Sequence, residues 1–103
     1  MKTEGDRIVV QIDPDLEDLI PGYIENRHKD IKKIKDALKE GDYETIRILG
    51  HSMKGSGGGY GFDAITEIGK SMEQAAKDKD IDSIKRLVEE LNDYLSRVKI
   101  IYG

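Results

Sequence analysis

Residues 50–61 bring a histidine and a lysine together with an unusual density of glycine. The segment reads GHSMKGSGGGYG, and six of its twelve residues are glycine. His51 and Lys54 are three residues apart, a spacing that places two side chains on one face of a helix. A neutral imidazole is a nucleophile, and an ammonium group stabilises an anion that arrives on it. The pair suits an acceptor of a phosphoryl group.

The surface around His51 is expected to be open. Helical side chains tilt toward the N-terminus, so the residue four positions later normally covers a given side chain. That residue is Gly55, and we expect Gly58, one turn further on, to leave bare backbone as well. Arg47, four residues before the histidine, adds a second positive charge. Cations beside the ring would help to keep the imidazole neutral.

Composition limits the class of protein. At 103 residues the chain fits one domain, and 37% charged with 37% hydrophobic residues suits helices that each bury one stripe. The net charge of −4 argues against nucleic-acid binding. The sequence contains no cysteine and no apolar run near the ~20 residues of a membrane span. We therefore expect a cytoplasmic, free-standing and monomeric protein that binds no membrane.

Four long stretches have helical periodicity. Gly41 suits the C-terminal cap of the first, while Asp42 and Asp80 suit the N-terminal caps of the second and the fourth. The apolar positions of the four stretches are, in order, Ile24, Ile31, Ile34 and Leu38; Tyr43, Ile46, Leu49 and Met53; Phe62, Ile65, Ile68, Met72 and Ala76; and Ile81, Ile84, Leu87, Val88, Leu91, Leu95, Val98 and Ile101. Short connections between them predict an all-α fold, an antiparallel up-down-up-down four-helix bundle.

A short N-terminal extension precedes the bundle. Residues 1–6 are polar and are expected to fray, and residues 8–12 are β-prone but have no evident strand partner. Asp13 can cap a short helix that begins at Pro14, and Pro21 then ends that helix or starts a new one. The apolar residues of this short helix are Leu16, Leu19 and Ile20.

Other kinds of site are less well supported. Gly50 and Gly55 have the spacing of the first part of a P-loop, but Lys and Ser/Thr do not follow the second glycine. A metal site needs several convergent ligands, and two histidines about a helix apart do not provide them, so we expect no metal site. His28 stands among charged neighbours of the first long helix and is expected to be a surface residue without a function.

Residues 51–61 resemble the signature of histidine-containing phosphotransfer (HPt) domains. That signature is a histidine, two further residues, Lys-Gly-Ser and a later glycine, and it is matched here by His51, Lys54, Gly55, Ser56 and Gly61. Ile68 and residues 72–73 fall where the family has its next apolar and Leu-Glu-like positions. Gly57 and Phe62 depart from the pattern, because the family more often has a small polar and a small residue there.

The resemblance covers nearly the whole chain and implies the family's helical bundle over residues 13–103, after an arm over residues 1–12. It implies that His51 accepts a phosphoryl group from the aspartyl phosphate of a receiver domain and passes it to another receiver. The receivers would belong to response regulators or hybrid histidine kinases. Domains of this family have no kinase or phosphatase activity and no cofactor of their own, since the receiver supplies the acidic pocket and Mg²⁺.

Roles for individual residues follow from the same resemblance. Lys54 would stabilise the phosphoryl oxygens, and Gly55 would keep the approach to the histidine open. The remaining candidate contacts with the receiver are Ile48, Arg47, Gly58 and Lys70.

Other interpretations remain open. One is the dimerisation and phosphoacceptor segment of a sensor kinase, in which an acidic residue usually follows the histidine and a proline comes soon after. Here Ser52 follows, and no proline occurs after Pro21. Another is a non-catalytic helical interaction module in which His51 is inert. Direct phosphorylation by a kinase domain would make the chain the phosphoacceptor domain of a chemotaxis-type histidine kinase.

Overall fold

The computed structural model describes residues 7–103. Its helices are α1 (Ile20–Lys39), α2 (Tyr43–Ser56), α3 (Asp63–Lys77) and α4 (Ile81–Arg97), and its strands are β1 (Ile8–Ile12) and β2 (Val98–Tyr102). The predicted all-α four-helix bundle is confirmed. The expected fraying of residues 1–6 lies outside the described residues, and the division of the chain after residue 12 stays a prediction.

Local chemistry sets the boundaries of the helices. Asp42 and Asp80 cap α2 and α4, and their carboxylates accept hydrogen bonds from the backbone N–H groups of Thr45 and Ser83, each at 3.1 Å. Gly41 follows α1 with φ = +69°, a left-handed conformation that glycine adopts without the strain of a side chain. The three predicted cap residues therefore lie where the sequence indicated.

The N-terminal extension differs from the prediction. The expected short helix is reduced to a 3-10 turn over Pro14–Leu16, which Asp13 caps. Helix α1 then begins at Ile20 and takes Pro21 into its first turn, where a missing backbone N–H is tolerated.

The two strands pair with each other in a parallel two-stranded sheet. Ile8 pairs with Val98, and Ile12 pairs with Tyr102. Two expectations were therefore wrong: residues 8–12 do have a strand partner, and α4 ends at Arg97 instead of continuing through Ile101. The sequence VKIIY of β2 is rich in β-branched and aromatic residues, and its burial alternates with a period of two, as in a strand.

The helices enclose one hydrophobic core, to which both strands contribute. Phe62, just before α3, is fully buried, and its ring stacks on that of Tyr23 in α1 with 5.7 Å between centroids. The largest fully buried side chains are Phe62, Ile12, Ile20, Ile34, Ile46, Met53, Ile65, Met72, Ile84 and Leu91. No helix in the described part of the chain is long and apolar enough to cross a membrane.

Helices α2 and α3 are in close contact at Gly50 and Gly69. A Cβ atom built on Gly69 would lie 2.5 Å from the backbone nitrogen of Lys54 and 2.7 Å from the carbonyl oxygen of Gly50. A Cβ atom built on Gly50 would lie 2.6 Å from the backbone nitrogen of Glu73. Because real Cβ atoms do not come so close to backbone, both positions require glycine for this helix spacing.

Substitution of Gly69 should therefore loosen the bundle. We expect Gly69→Ala to lower the free energy of unfolding by about 1–3 kcal/mol, because overpacking outweighs the gain in helix propensity. Gly22→Ala in α1 is the matched control, since a Cβ atom there meets nothing within 4 Å. Urea unfolding followed by circular dichroism measures both changes. A Gly69→Ala protein as stable as the Gly22→Ala protein would contradict the proposed packing.

Candidate functional site

His51 stands on the outer surface of α2, as its position beside the inward stripe predicted. Its side chain is 66% exposed, whereas Met53, two residues later, is fully buried. The α2 helix carries it there because Ile46, Gly50 and Met53 form the buried face of that helix. The imidazole is thus held by a rigid helix and remains open to solvent.

One carboxylate on the neighbouring helix binds both His51 and Lys54. Oε2 of Glu73 lies 3.1 Å from Nδ1 of His51, and Oε1 lies 3.1 Å from Nζ of Lys54. The Glu73 side chain is only 10% exposed, whereas that of Lys54 is 40% exposed. Three residues from two helices therefore form one polar cluster, which we call the His51–Glu73–Lys54 cluster.

The charges of this cluster keep Glu73 ionised. The hydrogen bond from the Lys54 ammonium group is the main cause that lowers the pKa of Glu73, and the hydrogen bond with His51 adds to it. Burial of the carboxyl group acts in the opposite direction but does not prevail. Glu73 is consequently a carboxylate at neutral pH.

An ionised Glu73 decides which nitrogen of His51 carries the proton. A carboxylate can only accept hydrogen bonds, so the hydrogen between Oε2 and the ring belongs to Nδ1. In the neutral ring the other nitrogen, Nε2, then keeps its lone pair. The cluster can therefore orient the ring through Nδ1 and leave Nε2 available as a nucleophile or a base.

The sequence predicted a cation beside the imidazole, but the structure places the carboxylate of Glu73 there. The carboxylate of Glu73 stands between Lys54 and His51, contacting each of them. Arg47, the second expected cation, is instead paired with Glu44 one turn earlier in α2, with its Nε 3.0 Å from Oε1. The charge in direct contact with the ring is thus negative.

Gly55 and Gly58 differ in their surroundings. A Cβ atom on Gly55 would meet nothing within 4 Å, so the surface one turn after His51 is open, as expected. Gly58 does not continue that helix, contrary to the expectation, because α2 ends at Ser56. A Cβ atom on Gly57 would lie 2.6 Å from the backbone nitrogen of Thr66, so close packing on α3 accompanies the end of α2.

The loop after α2 is fastened to the rest of the bundle. The hydroxyl groups of Tyr23 and Ser56 are 2.9 Å apart, and the rings of Tyr23 and Tyr60 stack with 4.4 Å between centroids. Gly61 then turns the chain into α3 with φ = +97°. These contacts hold the C-terminal end of α2, and with it the helix that carries the histidine.

Exposed side chains surround the cluster. Ile48, one turn before His51, is 52% exposed. Lys70 lines a groove of about 430 Å³ on the α3 side together with Lys54, Glu73 and Lys77. An apolar side chain thus lies on one side of the site, and Lys70 and Lys77 lie on the other. No group of three or more His, Asp or Glu side chains that could hold a metal occurs within residues 7–103.

Sequence reasoning named Glu73 only as part of a family pattern and did not assign it to the site. A signal was present, because Glu73 directly follows Met72 on the buried stripe of α3 and is four residues after Gly69. A charged residue at the margin of a buried stripe usually has a partner. That its partners are His51 and Lys54 depends on the register between α2 and α3.

Comparison with known families gives one match. The model of the family described as Hpt domain matches residues 18–100, a range that contains all four helices. Comparisons of the chain with curated proteins and with solved structures give no match. The matched range also contains His51, Lys54 and Glu73.

The pairing of Glu73 with Lys54 makes its titration a direct test of the cluster. We expect Lys54→Met to raise the pKa of Glu73, because the largest cause of its lowering is removed while burial remains. In the wild-type protein the lowered pKa of Glu73 stabilises the folded state. This stabilisation is fully present above pH 4.5, the ordinary pKa of the group, and is lost as the pH falls through its lower pKa in the folded protein. The variant should lose less stability over that range.

Carboxyl chemical shifts in an NMR titration measure this pKa in both proteins. Lys70→Met is the matched control, since Lys70 lies in the same groove but forms no ion pair with Glu73 in the described part of the chain. An unchanged pKa of Glu73 in Lys54→Met would show that the two side chains are not paired in solution.

Proposed function

The chain belongs to the Hpt domain family, and we propose that it is a phosphorelay intermediate with His51 as phosphoacceptor. Membership of the family makes it a phosphotransfer domain of two-component signalling. In the proposed reaction His51 accepts a phosphoryl group from the aspartyl phosphate of one receiver domain and passes it to another. The observation that carries the proposal is the contact of Nδ1 with Glu73, which leaves Nε2 of the exposed side chain as the nucleophile.

The proposed step exchanges one bond to phosphorus for another. Nε2 of His51 forms a bond to the phosphorus atom while the bond from phosphorus to the aspartyl oxygen of the receiver breaks. The aspartate leaves as a carboxylate, and Nδ1 keeps its proton, so the ring gains positive charge. The carboxylate of Glu73, 3.1 Å from Nδ1, stabilises that charge without having to move. Phosphoryl transfer of this kind needs positioning and charge stabilisation more than covalent help.

Lys54 has two anionic partners in this proposal. Before transfer its ammonium group is bound to Oε1 of Glu73, and its side chain remains 40% exposed. Its flexible four-carbon stem allows the ammonium group to turn toward phosphoryl oxygens on the neighbouring histidine. Lys54 would thus stabilise the transferred group, as proposed from the family resemblance, and Glu73 would hold it close beforehand.

The receiver is proposed to dock over the exposed face of α2 and the adjoining edge of α3. Gly55 leaves space beside the imidazole, and Ile48 offers an apolar contact on the same helix. Lys70 adds positive charge on the α3 side, which complements the acidic pocket of a receiver. Arg47 is tied to Glu44, and Gly58 lies beyond the helix end, so both are proposed as peripheral contacts.

In this scheme the receiver supplies the catalytic groups and the chain supplies the phosphoacceptor. The chain would have no kinase or phosphatase activity of its own and would act as a substrate and a donor. The receiver would provide Mg²⁺ and the acidic pocket in which the metal is bound, so the chain itself would need no cofactor. We further propose that the protein acts as a monomer in the cytoplasm, where its receivers occur.

Transfer of label from phosphorylated receivers tests this function. We expect radioactive phosphate on the aspartate of at least one of a panel of purified receiver domains to move to the wild-type protein. The label should be stable in base and labile in acid, as a phosphohistidine is. His51→Gln should abolish it, and His28→Gln, which alters the other histidine, should leave it unchanged. Label retained by His51→Gln would refute the assignment of the acceptor, and no transfer from any receiver would favour an inert interaction module.

A further inference from the structure

A second surface of the bundle has the form of a binding groove. Helices α1 and α4 border a groove of about 920 Å³ with an apolar floor made by Leu38, Ile81 and Val88. Val88 is buried at 5% exposure, but Ile81 is 43% exposed. The groove follows α4 from Ile81 to Ser96, a length of about 22 Å at the helical rise of 1.5 Å per residue.

Three lysines stand over one half of this floor. Lys35 and Lys39 come from the C-terminal part of α1, and Lys85 comes from the first turns of α4. Within residues 7–103 none of the three ammonium groups forms an ion pair with a carboxylate. The acidic residues that line the groove are Glu89 and Asp93, and Asp93 is bound to Arg97 at 3.0 Å. The three lysines therefore carry positive charge that no ion pair within residues 7–103 neutralises.

From this combination we propose that the groove between α1 and α4 binds an amphipathic helix of a partner protein through its apolar side and flanking acidic residues. Helices bind to such grooves by placing apolar residues spaced three and four apart on the floor. A helix of about 15 residues matches the length of the groove. Glutamate or aspartate residues beside its apolar stripe would reach Lys35, Lys39 and Lys85, which gives the interaction its specificity.

A partner helix suits the shape of the groove better than a second copy of this chain. In a symmetric dimer whose axis passes through the groove, each copy would present the same concave surface, and two grooves cannot fill each other. Such a dimer would also bring like-charged lysine clusters toward one another. A helix is convex and needs no second groove.

The groove is separate from the proposed phosphotransfer site. All of its lining residues belong to α1 and α4, whereas His51, Lys54 and Glu73 belong to α2 and α3. A helix bound in the groove would therefore leave the imidazole uncovered. The inference does not depend on the phosphoacceptor role of His51, and either proposal can fail without the other.

Fluorescence anisotropy with a labelled synthetic helix tests the proposal. The probe is a 15-residue peptide with leucines at helical spacing, flanked by glutamates, and a peptide with lysine in place of each glutamate is its control. We expect the acidic peptide to bind and the basic peptide to bind at least about tenfold more weakly. Lys39→Glu combined with Lys85→Glu should weaken binding of the acidic peptide about tenfold, and Ile81→Asp should weaken it as well.

Lys29→Glu combined with Lys32→Glu is the matched control, because it changes the net charge equally on exposed residues of α1 outside the groove. This variant should bind the acidic peptide like the wild type, and circular dichroism should show that all variants keep their helices. Four outcomes would overturn the proposal: no binding of the acidic peptide, equal binding of both peptides, equal loss in the two charge variants, or self-association that the groove variants abolish. Binding to phosphatidylglycerol vesicles in place of the peptide would overturn it too.

Discussion

The close contact between α2 and α3 is the constraint on which the candidate site depends. Gly50 and Gly69 face each other where a single added methyl group would lie 2.5–2.9 Å from the backbone of the opposite helix. This contact brings Glu73 to the edge of α2, within hydrogen-bonding distance of two side chains there. A wider spacing of the helices would leave the imidazole as an ordinary exposed side chain. The two glycines thus determine where the carboxylate of Glu73 lies relative to the imidazole.

The shared carboxylate gives the two exposed side chains a fixed relation to each other. Lys54 and His51 are separated by one turn of α2 and would otherwise sample many rotamers in solvent. Glu73 is held on a neighbouring helix and is nine-tenths buried, so its oxygens are positioned before any partner arrives. Such preorganisation reduces the entropy lost when a reacting complex forms. It also places negative charge where the ring becomes positive in the proposed transfer.

Much of the fold could be predicted because its determinants are local. Asp42, Asp80 and Gly41 fix helix ends through contacts with residues at most five positions away. The pairing of β1 with β2 could not be predicted in this way, since its strands are separated by about the length of the chain. Val98 and Ile101 continue the helical spacing of α4, whereas Val98, Ile100 and Tyr102 have the period of two of a strand, so periodicity alone left the end of that helix undecided.

Only part of the site could be predicted, because some of its contacts are local and others join two helices. His51, Lys54 and the open surface at Gly55 lie on one helix, and their spacing along the sequence is sufficient to place them together. Glu73 is 22 residues after the histidine and reaches it only through the packing of two helices. The misplacement of Gly58 has a non-local cause as well, because Gly57 packs against Thr66 of α3 where α2 ends. Contacts between helices, unlike contacts within one, require the register of the bundle to be known.

The protonation state of the His51 ring tests the central claim most directly. Long-range ¹H–¹⁵N correlation spectra of the protein, before and after phosphorylation with phosphoramidate, identify which ring nitrogen carries hydrogen and which carries phosphorus. If Glu73 fixes the tautomer of the ring, hydrogen is expected on Nδ1 of the neutral ring and the phosphoryl group on Nε2. Hydrogen on Nε2 of the neutral ring, or a phosphoryl group on Nδ1, would contradict it.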